Sequence, residues 1–131
     1  MEQQETHQKI NGSFSGIPIE LRKNFAKLEL ITTDEMVADD TGLIHGGFIF
    51  SFADYCAMLT INHPNVVLGK AEVHFLKPVV LRDILIAKGT VLDSKGKKSE
   101  VEVKVYRNED LVFTGIFTCF TPEVHILKKS E

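Results

Sequence analysis

The feature that most constrains this chain is the segment GLIHGGFIFSFADYCAMLTI, residues 42–61. After His45-Gly46-Gly47 it is apolar on every side, with a single carboxylate, Asp54, in its middle. A helix that is apolar all round is a buried helix. Two glycines at its start leave the first backbone N–H groups approachable, at the positive end of the helix dipole. The remaining residues must therefore wrap a buried helix of about four turns.

The residues before this helix divide into a polar start and a patterned region. Residues 1–16 are polar with scattered Gly and Ser, and they predict a flexible N-terminal segment. Residues 17–131 then form a single domain. Pro18 lies near the start of a predicted short helix, Ile19–Phe25. Alternating polar and apolar residues predict a strand over Ala26–Ala38.

Four further strands are predicted after the apolar helix, which Asn62-His63-Pro64-Asn65 brings to an end. Short connections between neighbouring strands favour antiparallel pairing. An antiparallel sheet readily buries one face, and the apolar helix is the element to bury against it. The predicted fold is α+β, a curved antiparallel sheet of about five strands wrapped around one long central helix. The four strands are Val66–Leu76, Ile84–Leu92, Glu100–Tyr106 and Leu111–Phe120.

Bulk composition excludes several classes of function. The chain has 131 residues, 44% hydrophobic and 25% charged, and a net charge of −3, which gives no reason to expect nucleic-acid binding. No stretch reaches the ~18 apolar residues of a membrane span, and the polar, acidic start is not that of a secretory signal. Cys56 and Cys119 both lie in apolar runs, which indicates buried thiols in a reducing cytoplasm. No Cys/His cluster has zinc spacing, so no metal site is predicted.

The helix segment also carries a motif. Gly42–Gly47 followed by Phe48–Asp54 resembles the core of the PaaI-like hotdog thioesterases, and Phe75–Pro78 resembles the family's strand that ends before a proline. His-Gly-Gly between a strand and a buried helix, with Asp nine residues after the His, is a specific combination. The resemblance covers roughly Leu28–Phe120. It implies the hotdog fold and hydrolysis of an acyl-CoA thioester.

The resemblance implies a role for each motif residue. The N–H of Gly46 polarises the thioester carbonyl, Asp54 acts as general base or nucleophile, and His45 shapes the site and holds the loop. Many members have an Asn six residues before the His. Asp39 occupies that position here, and an ionised Asp cannot donate a hydrogen bond. Some members also use a hydroxyl from the following strand, but residues 66–70 contain no Ser or Thr.

Four further residues are predicted to contact the substrate. Gly47 leaves the helix start open, and Asp39 lies near the predicted site. Phe48 suits an apolar acyl group, and Lys77 is placed to contact the phosphates of coenzyme A. Coenzyme A is part of the substrate, and no other cofactor is expected.

The spacing of Gly46 and Asp54 makes a prediction about assembly. They are eight residues apart, which is about 12 Å along a helix axis. One carbonyl cannot lie within about 3 Å of both groups. If both are catalytic, Asp54 must meet Gly46 of another chain, so the sequence predicts a homodimer or a dimer of dimers with shared sites.

Alternative interpretations stay open at this stage. Asp54 can be a structural residue bonded to a nearby donor, and the two glycines can simply permit close packing. The chain can be a non-catalytic acyl-CoA-binding module. A hotdog hydratase or dehydratase is the third alternative, although the sequence holds no recognisable His and carboxylate motif of that kind.

Overall fold

The computed structural model describes residues 1–128. They form a short helix, six strands, a 3-10 helix over Asp34–Met36 and one long helix. In chain order the elements are α1 (Gly12–Ser15), β1 (Ile17–Arg22), β2 (Phe25–Ile31), α2 (Gly46–Ile61), β3 (Val67–Phe75), β4 (Ile84–Lys95), β5 (Lys98–Arg107) and β6 (Asp110–Phe120).

All six strands belong to one antiparallel sheet in the order β1-β2-β4-β5-β6-β3. The sheet curves around α2, as the sequence predicts for the hotdog fold. Alternate side chains of the central strands point inward against the helix and are fully buried, because one face of the sheet meets α2 and the other meets solvent. The inward residues include Ala26, Leu28, Leu30, Leu85, Ala87, Val101, Val103 and Val105.

The close approach of α2 to the sheet depends on a glycine. Gly89 of β4 lies under the helix, where a Cβ atom would overlap the hydroxyl of Thr60 and approach Sγ of Cys56.

The helix ends at Asn62, which adopts a left-handed conformation (φ 51°) and donates its backbone N–H to Met58 O. Asn tolerates this conformation better than most residues. The sequence signal for the end of the helix is therefore confirmed.

The structure corrects two predictions for the region before α2. The predicted helix Ile19–Phe25 is wrong, because these residues form the β1–β2 hairpin, with Asn24 at φ 61° in the turn. Leu21 points into the core, and pairing with β2 satisfies backbone groups that a single helical turn would leave open. The predicted strand Ala26–Ala38 ends at Ile31, and the 3-10 helix that follows buries Met36. The extra strand makes the sheet six-stranded rather than five-stranded.

The first sixteen residues pack against the domain instead of extending away from it. The N–H of Glu2 donates to Leu21 O, and the side chain of Asn62 bonds both Glu5 N and Gln3 O at 2.8 Å. Thr6 is buried, with 7% of its surface exposed. Polar groups of this segment thus bond the end of α2, and its flexibility stays a prediction. Residues 129–131 of the predicted domain lie outside the described residues.

Candidate active site

The start of α2 displays free backbone donors. His45 is the N-cap residue, and its extended backbone (φ −63°, ψ 131°) leads directly into Gly46. The loop before the helix is fixed, because His45 N donates to Met36 O and Ile44 N donates to Val79 O. Phe48 N closes the first turn on His45 O. Within residues 1–128 the N–H groups of Gly46 and Gly47 have no acceptor, so they are available to an anionic oxygen.

A cavity of about 300 Å³ adjoins Gly46. Phe75 forms one wall, and a Cβ at Gly46 would lie 3.3 Å from the edge of its ring. Lys77 lines the same cavity, and its ammonium lies 3.2 Å from Asp110. The structure therefore places Lys77 beside Gly46, with its charge paired at an exposed position. The other lining residues are Leu43, Ile44, Ile49, Leu76, Pro78, Val79 and Val112.

Asp54 has an unsatisfied carboxylate. Its Oδ1 is the one buried side-chain oxygen or nitrogen in the described part of the chain that has no hydrogen-bond partner. Burial raises the pKa of Asp54 to about 6, because desolvation disfavours the charged form. The pKa of the Cys119 thiol is raised to about 12, first by burial and second by the nearby charge of Asp54. A purely structural Asp54 would accept a hydrogen bond from a nearby donor. No group within residues 1–128 donates to its Oδ1, so the structure does not support that interpretation.

A second cavity, about 670 Å³ and open to solvent, contains Asp54. Residues 5–8 of the N-terminal segment contribute a polar wall. Met58 and residues 66–68 at the start of β3 contribute an apolar wall. Residues 125–127 also line the cavity. The cavity, called the Asp54 cleft below, therefore combines an apolar wall with a polar one, as sites for small apolar ligands usually do.

The remaining predicted residues lie around the start of α2. The His45 ring covers Gly47, with Nε2 2.9 Å from the position of a Cβ there, and it meets the Phe48 ring edge-on at 6.2 Å. Phe48 also packs against Phe14, with ring centroids 5.9 Å apart. Asp39 is exposed and accepts hydrogen bonds from Thr41 Oγ1 and Thr41 N at 2.6 and 2.9 Å. These bonds, the hydroxyl first, lower the pKa of Asp39.

One chain does not bring Gly46 and Asp54 together. Both lie on α2, eight residues apart, or about 12 Å along the axis. Gly46 and Lys77 share one cavity, and Asp54 lines another. Sequence reasoning did not find Thr6 and His7, which also line the Asp54 cleft. They lie more than 45 positions from Asp54 in a segment whose polar composition gives no sign of this contact.

Residues 1–128 contain no group of three His, Cys, Asp or Glu side chains placed to hold a metal ion. None of their helices is long and apolar enough to cross a membrane. The expected cytoplasmic location stays a prediction.

A family comparison agrees with this geometry. The family model described as the thioesterase superfamily matches residues 41–114, which is more than half of the chain. The chain belongs to the thioesterase superfamily. The match runs from the turn before α2 into the first half of β6, so it includes Gly46, Asp54 and Lys77. The resemblance drawn from the His-Gly-Gly motif is confirmed at the level of family and fold.

Several solved structures resemble this chain in fold. The uncharacterized protein PH1136 from Pyrococcus horikoshii is 50% identical, with a TM-score of 0.95 over 97% of this chain and 98% of that one. PaaI from Escherichia coli is 19% identical (TM-score 0.78; 86% and 83% covered). A hypothetical thioesterase from Streptococcus pneumoniae, solved with coenzyme A, is also 19% identical (0.77; 87% and 91%). The latter two show the fold.

Curated relatives of this superfamily member have mixed names. The chain is 52% identical over 88% of its length to a methylthioribose-1-phosphate isomerase from Aquifex aeolicus, of which it covers 25%. It is 35% identical over 74% of its length to the transcription factor FapR of Caldanaerobacter subterraneus, of which it covers 48%. The chain thus spans about a quarter and about half of these relatives, and their whole-protein activities do not transfer to it.

Proposed function

We propose that this thioesterase-superfamily chain is an acyl-CoA thioester hydrolase whose active site is shared between two copies. The observation that supports this most is the buried, unpartnered Oδ1 of Asp54 on a helix that is otherwise apolar. A carboxylate in such a place is costly unless it has a function, and groups with a raised pKa cluster at functional sites. The apolar wall of the Asp54 cleft suits an acyl chain.

The proposed reaction needs a base and an anion-stabilising donor. Asp54 removes a proton from water, whose oxygen attacks the thioester carbonyl carbon while negative charge develops on the carbonyl oxygen. The tetrahedral intermediate then expels the coenzyme A thiolate, which takes up the proton, so the thioester and water give a carboxylic acid and a thiol. Direct attack by Asp54 gives the same products through an anhydride that water then hydrolyses.

Gly46 is the proposed anion-stabilising donor. Its free N–H lies at the positive end of a sixteen-residue helix. Donors of this kind act where the oxyanion forms, and each contributes about 10² to 10³ in turnover. Because Gly46 has no side chain, the substrate can approach the helix start from the cavity beside Phe75.

Sharing between two copies resolves the separation of the two groups. A two-fold axis would set the α2 helices of two copies antiparallel, and Gly46 of one copy would then face Asp54 of the other. The sheet offers a surface for this contact: within the described residues β3 pairs only with β6, so nine residues of β3 form an open edge. Two such edges can pair through backbone hydrogen bonds.

A non-catalytic acyl-CoA-binding module is the second candidate. One observation favours it. Asp39, which occupies the position of the family's Asn, is exposed and engaged by Thr41, so the site lacks an amide that can position water. The similarity to FapR, a transcription factor, is in keeping with such a role.

Release of free thiol from a panel of acyl-CoA esters tests the proposal. The wild type should release thiol, and Asp54→Asn should lower turnover by about 10² or more. Asp93→Asn, which removes an exposed carboxylate at the end of β4, is the matched control and should retain wild-type turnover. Binding of acyl-CoA without thiol release would contradict hydrolysis and support the module. A change in enoyl absorbance without thiol release would support a hydratase.

A further inference from the structure

The Asp54 cleft lacks the polar side chains that the hydrolytic family uses to position water. Residues 66–70, at the start of β3, contain neither Ser nor Thr. Asp39 is bonded to Thr41 in its own turn. Asp54 Oδ1 nevertheless has no protein partner. A water molecule beside Asp54 therefore needs a hydrogen-bonding group from elsewhere, since an ordered water generally makes two to four hydrogen bonds.

Thr6 and His7 supply polar groups to the lining of the Asp54 cleft. Thr6 is buried, and its hydroxyl lies 2.8 Å from Nδ1 of His7. This bond uses one nitrogen of the imidazole and leaves Nε2 without a partner among the described residues. Since Nε2 is not among the buried unpaired atoms, it remains accessible to solvent.

The backbone holds this pair in place. His7 has a left-handed conformation, with φ 55°, which a non-glycine residue adopts only where its surroundings impose it. Bonds hold the chain on both sides of His7. Before it, Gln4 Nε2 donates to Thr6 O and to the hydroxyl of Tyr55, and Glu5 N donates to Asn62. After it, Ile10 N donates to His7 O. The N-terminal segment is thereby fixed to α2, the helix that carries Asp54.

We propose that His7, oriented by Thr6, positions the attacking water opposite Asp54 through its Nε2 atom. This inference rests on the proposed hydrolase function. Burial lowers the pKa of His7, so the ring is neutral at neutral pH and can donate or accept at Nε2 according to its tautomer. His7 acts through water and is a positioning residue, while Asp54 removes the proton.

Two amide substitutions separate positioning from a structural role. In His7→Gln the side-chain amide reaches the place of Nε2. In His7→Asn the shorter amide lies near Nδ1, where it can keep the bond to Thr6, and Asn tolerates the left-handed backbone well. If His7 positions water, His7→Gln should retain most of the turnover. His7→Asn should lose about tenfold in kcat with little change in KM, as expected for one lost hydrogen bond.

A structural role predicts the reverse order, because His7→Asn preserves the local bonds and His7→Gln does not. Equal turnover in the two variants, or Asn above Gln, would overturn the proposal. Lys23→Gln is the control: this exposed lysine lies in the β1–β2 turn, away from the cleft lining, and its replacement should leave kcat unchanged. Melting temperatures of all variants show whether each remains folded.

The two proposals can fail separately. Hydrolysis by the wild type with no preference between the His7 variants would overturn the role of His7 alone. If the wild type releases no thiol, the hydrolase proposal is wrong, and the same variants are then titrated with acetyl-CoA by calorimetry. Tighter binding by His7→Gln than by His7→Asn would still support a contact from Nε2 into the cleft. Equal binding, or no binding by the wild type, would overturn it.

Discussion

Asp54 lies about two turns beyond Gly46 on the same continuous helix, α2, with no break between them. Within one continuous helix this separation stays at about 12 Å, so a single copy cannot bring the carboxylate to the N–H of Gly46. The two groups that the family motif indicates as catalytic therefore cannot serve one carbonyl in a single copy. This constraint is the basis of the proposed shared site.

Replacing Gly46 by proline tests the proposed oxyanion donor. Proline removes the N–H but is well tolerated at the first helical position, and the extended backbone of His45 is compatible with a following proline. We expect Gly46→Pro to lower kcat by about 10² to 10³, as measured by thiol release. Circular dichroism and thermal melting check that the fold is retained.

Gly46→Ala is the matched control for that experiment. Its Cβ meets the same Phe75 ring edge, at 3.3 Å, but the N–H is kept. We expect it to retain most of the turnover. A loss equal to that of Gly46→Pro would mean that steric hindrance, rather than the missing donor, explains the effect.

The raised pKa of Asp54 predicts how activity depends on pH. Asp54 must be ionised to act as base or nucleophile, and burial raises its pKa to about 6. We expect kcat/KM to rise about tenfold per pH unit below 6 and to level off above about 7. Glu5, His7 and His125 also line the cleft and carry ionisable side chains. The profile is therefore repeated with His7→Gln, and an inflection that disappears in this variant would belong to His7.

Asp54 should also make stability depend on pH. Its pKa is higher in the folded state (about 6) than its ordinary value of 3.8, so the folded state binds the proton more tightly. The free energy of unfolding should therefore fall as pH rises from about 4 to 6, by at most about 3 kcal/mol. We expect Asp54→Asn to raise the melting temperature at pH 7.5 and to change it little at pH 4. A lower melting temperature at pH 7.5 would show that a partner stabilises the ionised form.

The packing of α2 on Gly89 predicts a stability effect unrelated to catalysis. A Cβ at this position would overlap the hydroxyl of Thr60. We expect Gly89→Ala to lower the free energy of unfolding by about 1–3 kcal/mol in chemical denaturation. In the Thr60→Ala background the same change should cost less, because the obstructing hydroxyl is gone. Additive losses would contradict this packing account.

The helix and its two catalytic candidates could be predicted from the sequence because the signals are local. Apolar residues on all sides of residues 46–61 indicate burial, and one carboxylate among them is conspicuous. Five of the six strands could also be predicted, although the predicted β2 extends beyond Ile31, since period-two patterns such as Val101, Val103 and Val105 are unambiguous.

The β1–β2 hairpin was missed because local preferences competed with pairing. Pro18 suits the first turn of a helix, and that signal hid the alternation of Ile17, Ile19 and Leu21. β1 forms because it pairs with β2, and no local pattern shows that pairing. Thr6 and His7 were missed for a similar reason. Their position in the Asp54 cleft depends on bonds to the end of α2, formed between residues more than 50 positions apart.

Mixing two inactive variants tests the shared site most directly. Gly46→Pro and Asp54→Asn are each purified, and their subunits are exchanged by joint unfolding and refolding before thiol release is measured. In a mixed dimer one site carries both defects and the other carries neither. Random exchange should therefore restore about a quarter of wild-type activity, since half of the dimers are mixed and each has one intact site. If the mixture stays as inactive as its components although exchange is complete, each site lies within one chain and the account is wrong.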